Sequence, residues 1–143
     1  MRLIDTNILV HAVDDKSPQM QRAQDVLNYY LGAGEAVVAL QSVLEMYSAL
    51  TKGNDLKKAK LAAERVLDSN SFNKIHSDKE DFLEALALAE KHSLRRSEVF
   101  DALLVATAKR NGIDTILTEN PAHFEGLGIK VETLGTAKLS EEF

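Results

Sequence analysis

Cysteine is absent from the 143 residues. That excludes disulfides, thiolate zinc sites and a cysteine nucleophile. It also suits a reducing compartment, so a cytoplasmic location is expected. Long apolar runs are missing as well. None approaches the roughly 20 residues of a membrane span, and the first apolar stretch breaks at Asp5, so neither a membrane segment nor a secretory leader is expected. Positive charge is not in excess: the formal net charge is −5. This argues against holding nucleic acid by bulk electrostatics, while a local basic patch with bound cations stays open. Glycine-rich phosphate loops of the forms GxxxxGK(S/T) and GxGxxG do not occur, which weighs against a nucleotide-binding phosphotransfer enzyme. His11, His76, His92 and His123 lack zinc-site spacing and are read as surface or structural residues.

What remains is an ordinary globular balance, 45% hydrophobic and 27% charged. One domain is expected over residues 1–136, with 137–143 as a tail free to fray. A strand ends at Asp5 and a loop follows it. Met20, Ala23, Val26, Leu27, Tyr30 and Leu31 recur at helical spacing, and Gly32 and Gly34 stop that helix. Ala36 to Leu40 reads as a buried strand. Helices are expected from Ser42 to Gly53, around Leu56 to Leu67, over Asp78 to His92, and from Ser97 to Gly112. Short strands are expected at Ser71–His76, Asp114–Leu117 and Ile129–Leu134. Apolar strands alternating with helices indicate a parallel sheet covered on both faces.

Ligands of such sheets gather at the carboxyl ends of the strands. Asp5 ends the first strand, Glu45 lies in the first turn of the helix after the second, and Asp101 lies early in the helix before the fourth. Glu119 and Asn120 follow the fourth strand. Asp101 sits inside Val99-Phe100-Asp101-Ala102-Leu103-Leu104-Val105-Ala106, where a carboxylate is costly unless paired or bound to a cation. Each acid also has an ordinary explanation. Asp101 suits a helix N-terminus, Asp5 a turn, and Ser42-Val43-Leu44-Glu45 a capping box. One oxygen-rich cluster would account for all three, and its donors suit Mg²⁺ or Mn²⁺.

Leu3-Ile4-Asp5-Thr6-Asn7-Ile8-Leu9-Val10 resembles the opening motif of the PIN domain family. Gln41-Ser42-Val43-Leu44-Glu45 resembles the family's glutamate helix, and Phe100-Asp101-Ala102-Leu103-Leu104-Val105-Ala106-Thr107-Ala108 its second signature. Ile116-Leu117-Thr118-Glu119-Asn120 with His123-Phe124 resembles its third, so the likeness runs from residue 3 to residue 124. The nearest subgroup is the VapC-like toxins. The resemblance implies a three-layer α/β/α sandwich with a central parallel sheet of about five strands. It implies a Mg²⁺- or Mn²⁺-dependent endoribonuclease acting in the cytoplasm, with an antitoxin partner and a homodimer. Asp5 and Asp101 match the metal-binding aspartates, Glu45 the acid that completes the cluster, Thr6 and Asn7 the supports of Asp5, and Thr118 a nearby hydroxyl. The fourth acidic position falls at Asn120, an amide, which weakens the case for a tightly held second metal. Asn120 is retained as a catalytic candidate. Lys52, Lys57, Lys58, Arg95 and Arg96 are candidates for RNA phosphates, against the ordinary reading of solvated helix faces. A PIN fold that binds RNA or protein without cutting, and a solitary RNA-processing nuclease, are the alternatives.

Overall fold

The computed structural model describes residues 1–53 and 55–139. Its strands are β1 (Arg2–Ile4), β2 (Ala36–Ala39), β3 (Asn73–Ile75), β4 (Thr115–Leu117) and β5 (Lys130–Glu132). Its helices are α1 (Thr6–Val13), α2 (Met20–Gly32), α3 (Leu40–Leu50), α4 (Leu56–Asp68), α5 (Lys79–Lys91) and α6 (Glu98–Arg110), with a 3₁₀ turn at Pro121–Phe124. The strands form one sheet in the order β3-β2-β1-β4-β5, and every neighbouring pair is parallel. This is the α/β/α sandwich expected from the sequence.

Strand alternation divides the core. Ile4, Ala36, Val38 and Leu117 face one layer, where they pack with Ile8 and Leu9 of α1, Val26 of α2, Met46 of α3 and Val66 of α4. Leu3, Val37, Ala39 and Ile116 face the other, against Leu104, Val105 and Ala108 of α6 and Phe124 of the 3₁₀ turn. The α5 helix docks behind α6 through Ala85 and Leu88 against Ala102 and Leu103. Beneath this contact, Arg110 donates to both carboxylate oxygens of buried Asp81 at 2.9 Å. Gly34, at φ +71, turns the chain from α2 into β2 in a backbone region that favours glycine. A mostly apolar cavity of about 440 Å³ opens between α1, α3 and α4, lined by Leu9, Met46, Leu50 and Phe72 with Lys58 and Arg65.

Three expectations are corrected. No loop follows β1: Thr6–Val13 is helical, because Asp5 caps the helix through its side chain and Ile8, Leu9 and Ala12 form a buried stripe. The third helix begins at Leu40, not Ser42, directly out of β2. Glu45 therefore lies beyond the first turn, and the Ser42–Glu45 capping box does not form. Ser42 is fully buried instead, and its hydroxyl has no hydrogen-bond partner among the described residues. Finally, the expected fraying tail is packed at its start. Ala137 and Leu139 are buried in the core, and Arg22 donates to the carbonyl of Ala137 at 2.9 Å. Residues 140–143 lie outside the described residues.

Candidate active site

The crossover helices α1 to α4 lie on one face of the sheet and α5 and α6 on the other. The chain changes direction across the sheet between β1 and β4, which are neighbours. A crevice opens at such a switch point beyond the carboxyl ends of the strands. Asp5 follows β1 there, and Thr118 follows β4. Asp5 keeps an extended backbone, φ −73 and ψ 155. The alternation therefore carries it to the same side as Leu3, the side that α6 covers. Asp101 lies in the first turn of α6.

A hydrogen-bonded frame fixes Asp5. Its Oδ1 accepts from the Thr6 amide at 2.8 Å. Its Oδ2 accepts from the Thr118 hydroxyl at 2.7 Å and from Asn7 Nδ2 at 3.3 Å. Asn7 Nδ2 also reaches Thr118 Oγ1 at 3.2 Å, and Asn7 Oδ1 accepts from the Glu119 amide at 3.1 Å. Thr118 Oγ1 in turn accepts from the Asn120 amide at 3.0 Å. Asn7 and Thr118 thus tie the ends of two neighbouring strands together through side chains. Thr6 contributes its backbone amide.

The charge of Asp5 reaches both Glu45 and Asp101. Burial raises the carboxyl of Asp5, although Thr118, Thr6, His123 and Asn7 all act to lower it. Glu45 is exposed at the rim, yet partial burial raises it, Gln41 lowers it through a 3.1 Å hydrogen bond, and the charge of Asp5 raises it again. Asp101 is pushed up to about 6, first by burial, with His123 opposing and the charges of Asp5, Glu45 and Glu98 adding to the rise. These are carboxylates gathered with too little positive charge nearby, a condition that favours protonation or a bound cation. His123, read from the sequence as structural, stands against the site: its Nδ1 is 3.4 Å from Asp101 Oδ2. The sequence signal for it was weak, a single histidine after Pro121 in a turn that starts just beyond Asn120.

The other candidates fall elsewhere. Glu119 points away and accepts from the Leu134 amide at 2.7 Å. Asn120 is exposed and joins the frame through its backbone only. Lys52, Lys57, Lys58, Arg95 and Arg96 are exposed. Among the described residues none of them forms an ion pair with Asp5, Glu45 or Asp101.

Comparison with known proteins decides the family. The PIN domain family profile matches residues 2–128. The chain belongs to the PIN domain family. No curated protein matches this PIN-domain chain. Solved structures do. A toxin–antitoxin complex from Klebsiella pneumoniae is 22% identical, with 94% of this chain and 98% of that one covered and a TM-score of 0.66. FitAcB from Neisseria gonorrhoeae is 19% identical, with coverage of 96% and 100% and a TM-score of 0.71. VapC20 from Mycobacterium tuberculosis, described as a sarcin-ricin loop cleaving toxin, is 16% identical, with coverage of 81% and 87% and a TM-score of 0.66. At these identities the likeness is one of fold.

The donors of this PIN domain suit a hard divalent ion. They are oxygens only, and Mg²⁺ is commonly held by one or two carboxylates with water completing its shell. The raised carboxyls of Asp5 and Asp101 supply the uncompensated charge such an ion neutralises. Among the described residues no three acidic or imidazole groups close into a ready cage. The fit is therefore to an open site of two aspartates, with Glu45 at its rim.

Proposed function

We propose that this PIN-domain protein is a divalent-metal-dependent endoribonuclease, the toxin of a toxin–antitoxin pair. The observation that carries the proposal is Asp5, fixed by Thr118 and Asn7 at the β1/β4 switch point, with its charge raising the carboxyls of both Glu45 and Asp101. Mg²⁺ or Mn²⁺, when bound, supplies Lewis acidity and charge neutralisation for phosphodiester hydrolysis. Asp5 and Asp101 are the residues that would hold it. Asn7 and Thr118 keep Asp5 oriented. Glu45, its carboxyl raised by burial and by the charge of Asp5, is the base that would take a proton from the attacking water. His123 stands beside Asp101 and moderates its charge.

An antitoxin partner is supported by the toxin–antitoxin assemblies among the solved relatives, and RNA as substrate by the sarcin-ricin loop cleaving toxin. A homodimer is supported by α5, whose Phe82, Leu83 and Leu86 are exposed at 53%, 57% and 62%. No helix among the described residues is long and apolar enough to cross a membrane, which accords with action in the cytoplasm. Asn120 and the open acidic cluster favour a second reading, a PIN module that binds without cutting.

The test is cleavage of a labelled structured RNA by metal-stripped protein after adding Mg²⁺ or Mn²⁺. We expect metal-dependent cleavage that disappears in Asp5→Asn/Asp101→Asn. Equal cleavage by that variant removes the assigned site. Metal binding without cleavage of several RNAs favours the second reading.

A further inference from the structure

We infer that Phe100 is a nucleobase-stacking position at the mouth of the carboxylate site, assisted by the ring of His123. The inference rests on the ribonuclease reading above and adds to it how a chain of net charge −5 retains RNA.

The two functional helices share a pattern. Each acid is preceded by a large apolar residue turned to solvent: Leu44, 73% exposed, before Glu45, and Phe100, 57% exposed, before Asp101. Neighbouring residues on a helix point about 100° apart, so an apolar side chain lies on the flank of each acid. Phe100 is in the first turn of α6. Helical side chains lean toward the N-terminus, which favours the solvent-exposed start of that helix for its ring. Asp101 is adjoined by a second exposed ring, since His123 is 56% exposed with Nδ1 3.4 Å from Asp101 Oδ2. Two solvent-facing rings therefore flank the metal-site residue Asp101, Phe100 as its neighbour on the helix and His123 by contact.

Stacking suits this site for an electrostatic reason. The carboxylates repel a phosphate backbone until a cation is bound, and the candidate basic residues make no ion pair with them among the described residues. Attraction through the faces of the bases is indifferent to that repulsion. It tolerates many sequences, because every base has a face to offer. It also requires that face to be free, so a base paired and stacked within a duplex is a poor occupant.

The chain contains no tryptophan, so Phe100→Trp places a single fluorescent reporter at the position. In the full-length Asp5→Asn background with Mg²⁺, we expect saturable quenching by oligo(A) and oligo(U). An abasic ribose-phosphate oligomer of equal length should give no quenching. In cleavage assays, Phe100→Ala should raise KM about tenfold, the effect of one lost stack, with kcat within about twofold. Phe100→Tyr should restore KM. Absence of quenching, equal quenching by the abasic oligomer, or an unchanged KM in Phe100→Ala overturns the inference. So does blue-shifted emission that depends on protein concentration without RNA, which assigns Phe100 to a contact between copies of the chain. Failure of the nuclease reading looks different: Asp5→Asn/Asp101→Asn then cleaves as well as the parent. Where no cleavage is seen at all, the fluorescence titration alone decides.

Discussion

Burial and three neighbouring acids outweigh His123 and push the Asp101 carboxyl up to about 6 from the ordinary 3.8. The folded chain therefore binds this proton more tightly than the unfolded chain. The stability it contributes is full below the ordinary value and is lost as pH rises through the window from 3.8 to about 6. In EDTA, Asp101→Asn should melt higher than the parent above pH 6. That gain should shrink toward zero as pH falls to 4, and thermal melts of both proteins across that range test it. A difference that is constant with pH contradicts the assignment. Thr118 acts in the opposite sense. Fully buried and bonded to Asp5 at 2.7 Å, it lowers the carboxyl it touches. Thr118→Val should cost about 1–3 kcal/mol in urea unfolding, the usual result of stranding buried partners, and should also weaken Mn²⁺ binding. Asp5 and Asp101 stand out in the sequence because each interrupts an apolar run, and Glu45 through its place after the second strand and its motif. His123 does not, since nothing in Pro121-Ala122-His123-Phe124 reveals that its ring turns toward α6.

Helix α1 shows where reading by element fell short. Asp5-Thr6-Asn7 reads as a turn leading into a loop, because such side chains bond nearby backbone groups. The deciding term is the cap, whose acceptor is the Asp5 carboxylate itself. One side chain thus closes a helix end and serves the candidate site. Asp5→Ala should lose about 1 kcal/mol from the missing cap, whereas Asp5→Asn keeps an acceptor oxygen and most of that stability. Urea midpoints for the two variants distinguish these roles, and equal losses would contradict them. The α3 start was misplaced for a related reason. Ser42 carries the signature of a cap, but β2 runs straight into Leu40 and tertiary burial claims the serine instead. The real capping box belongs to α5, at Asp78 and Asp81. There Asp81 is 3% exposed and its partner Arg110 36%. Arg110→Ala should therefore destabilise by about 2 kcal/mol, less than the 3–5 kcal/mol for a fully buried pair, because water reaches the arginine.

The layer architecture follows directly from the alternation of apolar strands and amphipathic helices, and it was legible throughout. The order of the strands was not, because local patterns carry no record of which edges meet. That order, β3-β2-β1-β4-β5, is what brings Asp5 to Thr118. A ligand bound only by the assembled fold stabilises it by mass action. Mn²⁺ at a hundredfold excess over its dissociation constant should thus raise stability by about 2.7 kcal/mol. Asp5→Asn/Asp101→Asn should show no such rise. The exposed Phe82, Leu83 and Leu86 of α5 belong to the same scale. If they seat a second copy, Phe82→Glu/Leu86→Glu yields a monomer by sedimentation, while an unchanged oligomer assigns the contact elsewhere. The bond between Asp5 and Thr118 spans 113 positions of sequence. Synthesis from the N-terminus makes Asp5 early, but the frame around it cannot close until 113 further residues have been added. On the proposed toxin reading, a nascent chain stays inert until the strand leading to Thr118 has been made.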